Sequence, residues 1–131
     1  NKEMAYETEG ISLDMGKLTE GVKAVFRNDK NGFYIVAECD GNMVGQAMIT
    51  YEWSDWRNAI FWWIQSVYVL PEYRKIGVFR SIFRQIKAMA DQSNVCGLRL
   101  YVDRDNLIAK KAYQGLGMSE SHYDLFEMTI E

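Results

Sequence analysis

Residues 64–80 combine the residue types that bind a phosphate-sized anion. An apolar, strand-like run ends at Pro71, the only proline in the chain, which cannot donate a hydrogen bond to a strand ladder. A basic loop follows, in which Arg74 and Lys75 precede Gly77, a residue that permits a tight turn or the close approach of a ligand. Apolar residues at helical spacing begin after this glycine. Because the first N–H groups of a helix lack intrahelical partners, the segment predicts an anion site at a helix N-terminus.

Residues 106–116 form a second segment with reactive residue types at helical spacing. Asn106 and Tyr113 are seven residues apart, or two helical turns, so they share one face of the predicted helix. Ala109 lies between them, and its small side chain leaves room for a ligand. Asp105 is the predicted N-cap. On spacing alone, Tyr113 is more typical of a core aromatic residue than of a catalytic one.

Both segments resemble the GNAT N-acetyltransferases. The first, Arg74-x-x-Gly77-x-Phe79, is similar to the family's acyl-coenzyme A signature, Arg/Gln-x-x-Gly-x-Gly/Ala, with phenylalanine at the third position. The second, residues 106–118, is similar to the family pattern Asn-x-x-Ala-x-x-x-Tyr-x-x-x-Gly-Phe. The two segments occur in the family's order, which makes the resemblance much stronger than either segment alone.

The resemblance implies a coenzyme site built from a strand, a loop and a helix. Acetyl-coenzyme A is the expected cosubstrate, and no metal site is predicted. In the family, loop amides hold the pyrophosphate, and the pantetheine pairs with backbone groups of the preceding strand. The implied coenzyme-binding residues here are Val67, Tyr68, Val69, Arg74, Lys75, Ile76, Gly77, Val78, Phe79, Arg80 and Asn106. Asn106 is equally compatible with an ordinary first-turn residue of its helix.

Acyl transfer from a thioester to an amine requires a neutral amine, a stabilised oxyanion and a proton for the departing thiolate. The resemblance assigns the last role to Tyr113, and it assigns the oxyanion to a backbone N–H near Val67. The glutamate base that many family members carry has no counterpart at residues 62–66. The candidates for the base are Glu52, Asp55, His122 and a water chain.

Acidic and aromatic residues before the coenzyme-binding strand predict an acceptor site. Glu52 and Asp55 are expected to attract a cationic amine, and the neighbouring tryptophans to pack against it. The expected acceptor is a small cationic amine, or a lysine or N-terminal amine of a peptide. The competing interpretation places the tryptophans in the core and in a hairpin, and it is preferred for Trp62 and Trp63.

The elements that would position these residues predict a GNAT-like mixed α/β fold. Predicted strands cover residues 33–39, 43–52, 59–70, 96–102 and 123–130, and predicted helices cover residues 1–9, 18–28, 78–92 and 106–116. The strand–helix–strand unit from Ile64 to Val102 predicts one parallel pair in an otherwise antiparallel sheet. The resemblance implies that this pair splays apart and that helices flank the sheet. It also implies that the family's first strand is absent from this chain.

Composition narrows the class of protein further. With 131 residues, 48% of them hydrophobic, the chain predicts a single domain over residues 1–131 with a substantial core. No apolar run reaches the roughly 18 to 20 residues that span a bilayer, and no signal peptide is recognised, so a cytoplasmic protein without membrane contact is expected. Cys39 and Cys96 lie in apolar stretches and are predicted to be buried free thiols.

Charge distribution favours a compact anionic ligand. The net charge of −3 argues against general nucleic-acid binding, whereas residues 73–90 contain five cations and no acid. The expected partners are therefore acetyl-coenzyme A and an amine acceptor, and a homodimer is left open. Two other function classes remain: a coenzyme A-binding sensor or regulatory subunit with weak catalysis, and a structural protein on the same scaffold.

Overall fold

The computed structural model describes residues 22–28, 30–74 and 77–130. Its contacts separate two units, with the boundary after Tyr101. The elements of the first unit are β1 (Lys23–Asn28), β2 (Gly32–Cys39), β3 (Asn42–Ser54), β4 (Ala59–Val69), a single 3-10 turn (Pro71–Tyr73), α1 (Val78–Asp91) and β5 (Val95–Arg99). The second unit contains helix α2 (Leu107–Gly115).

The five strands form one sheet in the order β1-β2-β3-β4-β5. Each of the first three neighbouring pairs is antiparallel, and β4 and β5 are parallel. The parallel pair follows from chain connectivity. α1 lies between β4 and β5 in sequence and returns the chain to the end of the sheet at which β4 begins, so β5 runs in the same direction as β4. The predicted mixed α/β fold, mostly antiparallel with one parallel pair, is confirmed.

The hairpin between β2 and β3 is a two-residue turn. Asp40 and Gly41 both have positive φ angles, of 54° and 84°. Positive φ at both central residues is the type I′ geometry, whose twist matches that of the flanking strands. The turn fixes the register at Cys39↔Asn42.

The core lies between α1 and one face of the sheet. Buried apolar residues alternate along β2, namely Phe33, Ile35, Ala37 and Cys39. On α1 the buried residues recur at helical spacing, namely Val78, Ile82, Phe83, Ile86 and Ala90. Trp62 of β4 is buried beside Phe33, with ring centroids 5.1 Å apart in an edge-to-face arrangement. The preferred assignment of Trp62 to the core is confirmed.

The prediction of a helix over residues 18–28 is wrong from residue 23 onward, where the chain forms β1. Val22 and Val25 recur at helical spacing, but so short an apolar run is equally compatible with a strand. β2 supplies backbone partners through pairs such as Lys23↔Val36, and this pairing outweighs the local propensity. The predicted helix over residues 1–9, residues 18–21 and the beginning of the family fold lie outside the described residues.

Other differences concern the end of the chain. The predicted strand over residues 123–130 is wrong: this segment has no regular secondary structure and its side chains are exposed. Its apolar pattern suits a strand, but a strand also needs a neighbouring strand for its backbone groups, and the described residues supply none there. Cys39 is buried as predicted, whereas Cys96 is exposed. No helix within the described ranges is long and apolar enough to cross a membrane.

Candidate active site

β4 carries a bulge where the sequence predicts contact with the coenzyme. Gln46 of β3 pairs with Tyr68, but Met48 pairs with Gln65, so β4 has one extra residue within this interval. Ser66 absorbs the extra residue in a left-handed conformation, with φ of 52°. A bulge interrupts the ladder and turns backbone groups away from the neighbouring strand. The sequence gives only a weak signal for it, a polar residue in the middle of an apolar strand.

The pairing between β4 and β5 ends before this bulge. Their pairing runs from Ile60↔Val95 to Trp63↔Arg99 and then stops, whereas β4 continues to Val69. β3 still pairs with the other edge of β4, but within the described residues the edge that faces β5 has no paired strand beyond Trp63. This edge includes Val67, Tyr68 and Val69, the residues predicted to pair with the pantetheine. The backbone polar groups of this edge are therefore suited to pair with those of an extended ligand.

The loop after β4 is tied to the end of that strand by Arg74. Its Nε donates a hydrogen bond to the carbonyl oxygen of Val69 at 2.9 Å, and its guanidinium carbon lies 5.6 Å from the centre of the Tyr68 ring. Arg74 thereby holds a positive charge beside the exposed part of β4. Lys75 and Ile76 lie outside the described residues.

Gly77 begins α1 in a conformation that favours glycine. Its φ is 94°, and it is the N-cap of the helix. The carbonyl oxygen of Gly77 accepts from the N–H of Ser81 at 2.9 Å, which starts the helical ladder. The N–H groups before Ser81 therefore precede that ladder, at the positive end of the helix dipole. No acidic residue lies in the first turn, so this end of α1 is suited to an anion.

The next residues of the loop segment have different surroundings. Val78 is buried in the core, so only its backbone is suited to ligand contact. Phe79 is partly buried, and its ring centroid lies 6.1 Å from that of Phe83, along the same helix. Arg80 is exposed and brings a second charge to the first turn. The bulky third position of the signature thus packs along α1.

The second unit contains the other predicted coenzyme-side residues. Asn106, rather than Asp105, is the N-cap of α2: its Oδ1 accepts from the N–H of Ala109 at 3.0 Å. The predicted cap is wrong because the N–H of Asp105 itself donates to Oδ1 of Asp103, in a local turn before the helix. The Asn106 side chain is therefore engaged in capping, which favours the structural interpretation of this residue.

Tyr113 lies near the end of α2 and is partly buried. Its carbonyl oxygen accepts from the N–H of Met118 at 3.0 Å, which closes the helix end. Burial raises the pKa of the Tyr113 phenol above its ordinary value of 10.0, because the phenolate is the form that loses hydration. At neutral pH the hydroxyl therefore holds its proton, as a general acid must before it acts.

The predicted acceptor residues have different partners. Oε1 of Glu52 accepts from Nε1 of Trp63 at 2.8 Å and from Nη1 of Arg99 at 2.9 Å. Asp55 lies exposed in the turn between β3 and β4. The Glu52–Arg99 pair was missed in the sequence because the partners are 47 positions apart, although an arginine in an apolar strand is a signal.

The tryptophans and the histidine considered for the acceptor site differ in their exposure. Trp53 and Trp56 are exposed, so these two do not complete a core. Trp63 is half-buried and packs against Tyr101. His122 is exposed and stacks on Tyr123, with ring centroids 4.2 Å apart. In the described part of the chain, no group of three or more His, Cys, Asp or Glu side chains is arranged to hold a metal ion.

Similar solved structures share this architecture. A structure described as a possible acetyltransferase from Clostridium difficile 630 is 47% identical, with a TM-score of 0.76 over 100% of this chain and 87% of that chain. A ribosomal-protein-alanine N-acetyltransferase from Brucella melitensis biovar Abortus 2308 has 16% identity and a TM-score of 0.69, over 80% and 75% of the two chains. An aminoglycoside acetyltransferase from an uncultured soil metagenomic sample has 14% identity and a TM-score of 0.72, over 81% and 70%.

Sequence comparison identifies the family directly. No curated protein matches the chain. The sequence profile of the Acetyltransferase (GNAT) family, however, matches residues 3–118, which include both the coenzyme loop and α2. The bulge in β4, the end of pairing between β4 and β5 and the helix that begins after Gly77 are structural features observed independently of that match. The chain therefore belongs to the GNAT acetyltransferase family.

Proposed function

We propose that this protein transfers an acetyl group from acetyl-coenzyme A to a primary amine by direct attack within a ternary complex. The observation that carries the proposal is the exposed edge of β4, where the Ser66 bulge follows the end of pairing with β5. This edge leads directly to Arg74 and to the N-terminus of α1. An extended acyl chain and a pyrophosphate have complementary partners there, in the order in which coenzyme A presents them.

The coenzyme is bound mainly by backbone groups in this proposal. The pantetheine pairs with β4 at Val67–Val69, and the pyrophosphate lies at the N–H groups that begin α1. Arg74 and Arg80 add positive charge, and Lys75 and Ile76 complete the loop by analogy with the family. Backbone donors suit this role because they are fixed by the fold and cost no side-chain ordering when the ligand binds.

The chemistry then requires three events. The neutral amine attacks the thioester carbonyl carbon, and a backbone N–H near Val67 stabilises the oxyanion. The carbon–sulfur bond then breaks, while the new carbon–nitrogen bond is kept. The Tyr113 hydroxyl donates its proton to the departing thiolate. The amine loses its extra proton to a base, and the phenolate regains a proton from solvent. The raised pKa of Tyr113 supports its part, because it keeps the hydroxyl protonated.

The base in this proposal is Asp55, His122 or a water molecule. Glu52 was a further candidate, but its Oε1 is engaged by two hydrogen-bond donors, one of them a guanidinium. We therefore rank it last among the candidates.

The acceptor is proposed to be a small cationic amine or a peptide amine. The structural neighbours include proteins described as acting on each kind of amine, a ribosomal protein and aminoglycosides. Those neighbours are too distant in sequence to choose between the two. A cytoplasmic location belongs to the same proposal, since it suits a consumer of acetyl-coenzyme A.

The deciding experiment combines binding with turnover. Calorimetry with coenzyme A and acetyl-coenzyme A measures binding, and release of free thiol over a panel of primary amines measures transfer. Binding together with amine-dependent thiol release is the expected result. Binding without release from any amine would favour the sensor, and absence of binding would overturn both interpretations in favour of a structural role.

A further inference from the structure

A cluster of five residues lies on the sheet face opposite α1. Its members, called here the Arg99 cluster, are Glu52, Phe61, Trp63, Arg99 and Tyr101. Directly paired residues point to the same face of a sheet, and the pairs Glu52↔Phe61 and Trp63↔Arg99 place four of them together. Tyr101 joins them through its ring, whose centroid is 4.6 Å from that of Trp63.

Arg99 is held in the cluster from two sides. Its Nη1 lies 2.9 Å from Oε1 of Glu52, and its guanidinium carbon lies 3.6 Å from the centre of the Phe61 ring. Phe61 in turn lies against the backbone of Gly97, where an added β-carbon would be 2.7 Å from Cε1 of the ring. A planar guanidinium stacked on an aromatic ring loses little freedom when it binds a second anion. The side chain is nevertheless 33% exposed.

The charges in and around the cluster do not favour a simple cation. Glu52 is the only acid in the cluster, and Arg99 already balances it. A second guanidinium, that of Arg57, lies 5.2 Å from the centre of the same Phe61 ring. The two arginines therefore exceed the carboxylate by one positive charge. Such a surface favours a ligand that carries a negative charge of its own.

The position of the cluster relates it to the proposed reaction. Arg99 pairs with Trp63, which is the last residue of β4 that pairs with β5. Val67, the proposed oxyanion partner, is four residues further along β4. At about 3.3 Å per residue, these backbone positions are roughly 13 Å apart. The guanidinium of Arg99 leans toward Phe61, which is six residues before Val67, so a group bound by Arg99 would lie roughly 13 to 20 Å from the reacting amine.

We propose that the Arg99 cluster binds a carboxylate on the acceptor, so that the preferred substrate is an amine with an anionic group roughly 13 to 20 Å away. This inference rests on the proposed acetyltransferase function. The guanidinium of Arg99 receives the carboxylate, while the rings of Trp63 and Tyr101 contact the methylene groups between the acceptor's two ends. Long ω-amino acids have this chemistry.

The test compares matched pairs of amines that differ in one carboxylate. The pairs are 11-aminoundecanoate with undecylamine and 12-aminododecanoate with dodecylamine, assayed by thiol release from acetyl-coenzyme A. The carboxylate is expected to raise kcat/KM at least tenfold in the better pair. Arg99→Met should abolish this preference, and Arg84→Met, which removes an exposed arginine from α1, should leave it unchanged. Equal kcat/KM within both pairs would overturn the subsite.

A second variant separates recognition from folding. Glu52→Gln keeps an acceptor for the Trp63 N–H but removes the carboxylate that competes for Arg99. The preference for the carboxylate partner should therefore increase, whereas a merely structural ion pair predicts no change or a loss. Arg99→Lys, which keeps the charge without the planar fork, should show a weakened preference if Arg99→Met fails to fold.

Failure of the proposed function would be recognised separately. If no amine is acetylated, the same pairs are titrated by calorimetry into the protein saturated with coenzyme A. Tighter binding of the carboxylate member that is lost in Arg99→Met would retain the subsite and reject the enzyme. Equal binding within each pair would reject the subsite whatever the outcome for turnover.

Discussion

Val78, the first residue of α1, lies directly against Gly45 of β3. A β-carbon on Gly45 would be 2.7 Å from Cγ1 of Val78 and 3.3 Å from Cδ1 of Ile82. The absence of a side chain on β3 therefore sets how closely the beginning of α1 approaches the sheet. Since the proposed pyrophosphate site is the same helix end, a glycine in a core strand positions part of the proposed coenzyme site.

The first prediction concerns this contact. Gly45→Ala should lower the free energy of unfolding by about 1 to 3 kcal/mol, because Val78 or the backbone must move to accommodate the added methyl group. Urea denaturation measures the change. Gly115→Ala is the matched control, since a β-carbon there meets nothing within 4 Å, and it should leave the stability unchanged or slightly raise it. Equal stability of the two variants would show that α1 adjusts freely.

A second prediction concerns Gly77. Gly77→Leu should weaken binding of coenzyme A at least tenfold, or about 1.4 kcal/mol, because its φ of 94° is strained for leucine and the loop backbone must shift. Gly41→Leu introduces similar strain at a φ of 84° in the β2–β3 hairpin, remote in sequence from the loop, and should retain affinity. Calorimetry on both folded variants makes the comparison. Unchanged affinity in Gly77→Leu would remove the loop from the coenzyme site.

The strand and turn pattern of the sheet could be predicted because its signals are local. Asp40-Gly41 specifies a turn type, and the helical spacing of α1 is long enough to be unambiguous. β1 could not be predicted in the same way, since its identity as a strand depends on pairing with β2. Local patterns identify elements, whereas pairing decides between elements with similar patterns.

The part of the candidate site that could be predicted is the part formed by one contiguous segment of the chain. Residue types alone predict an anion site in the loop around Gly77, and the helix begins where the sequence predicts it. The Ser66 bulge depends on the register between β3 and β4, which no single segment specifies. The Glu52–Arg99 pair likewise depends on β4 lying between their two strands.

A third prediction concerns Tyr113. Tyr113→Phe retains the ring and removes the hydroxyl, so kcat should fall about 10²-fold or more while coenzyme affinity changes little. Stopped assays of thiol release and calorimetry measure the two quantities. Tyr123→Phe is the control, since that side chain is exposed in the same unit. A near-normal kcat in Tyr113→Phe would mean that another group protonates the thiolate.

The pH dependence of Tyr113 has a definite sign. Burial raises its pKa above 10.0, so the native state holds this proton more tightly than the unfolded chain does. Its contribution to stability is fully present below about pH 10 and is lost as the pH rises through the native pKa. Activity that depends on the protonated phenol should decline only in that alkaline range. Unfolding curves at several alkaline pH values should show a smaller loss of stability in Tyr113→Phe.

The last prediction concerns Glu52 and Asp55, the two carboxylates of the proposed acceptor site. Neutralising both, with Glu52→Gln and Asp55→Asn together, should raise KM for a diamine without a carboxylate by about three- to fivefold, close to the ~1 kcal/mol of one solvent-screened charge contact. Most of that increase should come from Asp55, because Arg99 already balances the charge of Glu52. KM for acetyl-coenzyme A should stay nearly constant.

The control for that experiment is Asp91→Asn. This acid lies at the end of α1, where it pairs with Lys87 at 3.2 Å, and its removal should leave KM for the diamine unchanged. An equal effect of Asp91→Asn would indicate that net charge, rather than a local site, attracts the amine. If neither Glu52→Gln nor Asp55→Asn alters KM, the turn between β3 and β4 is remote from the acceptor, and His122 becomes the next residue to substitute.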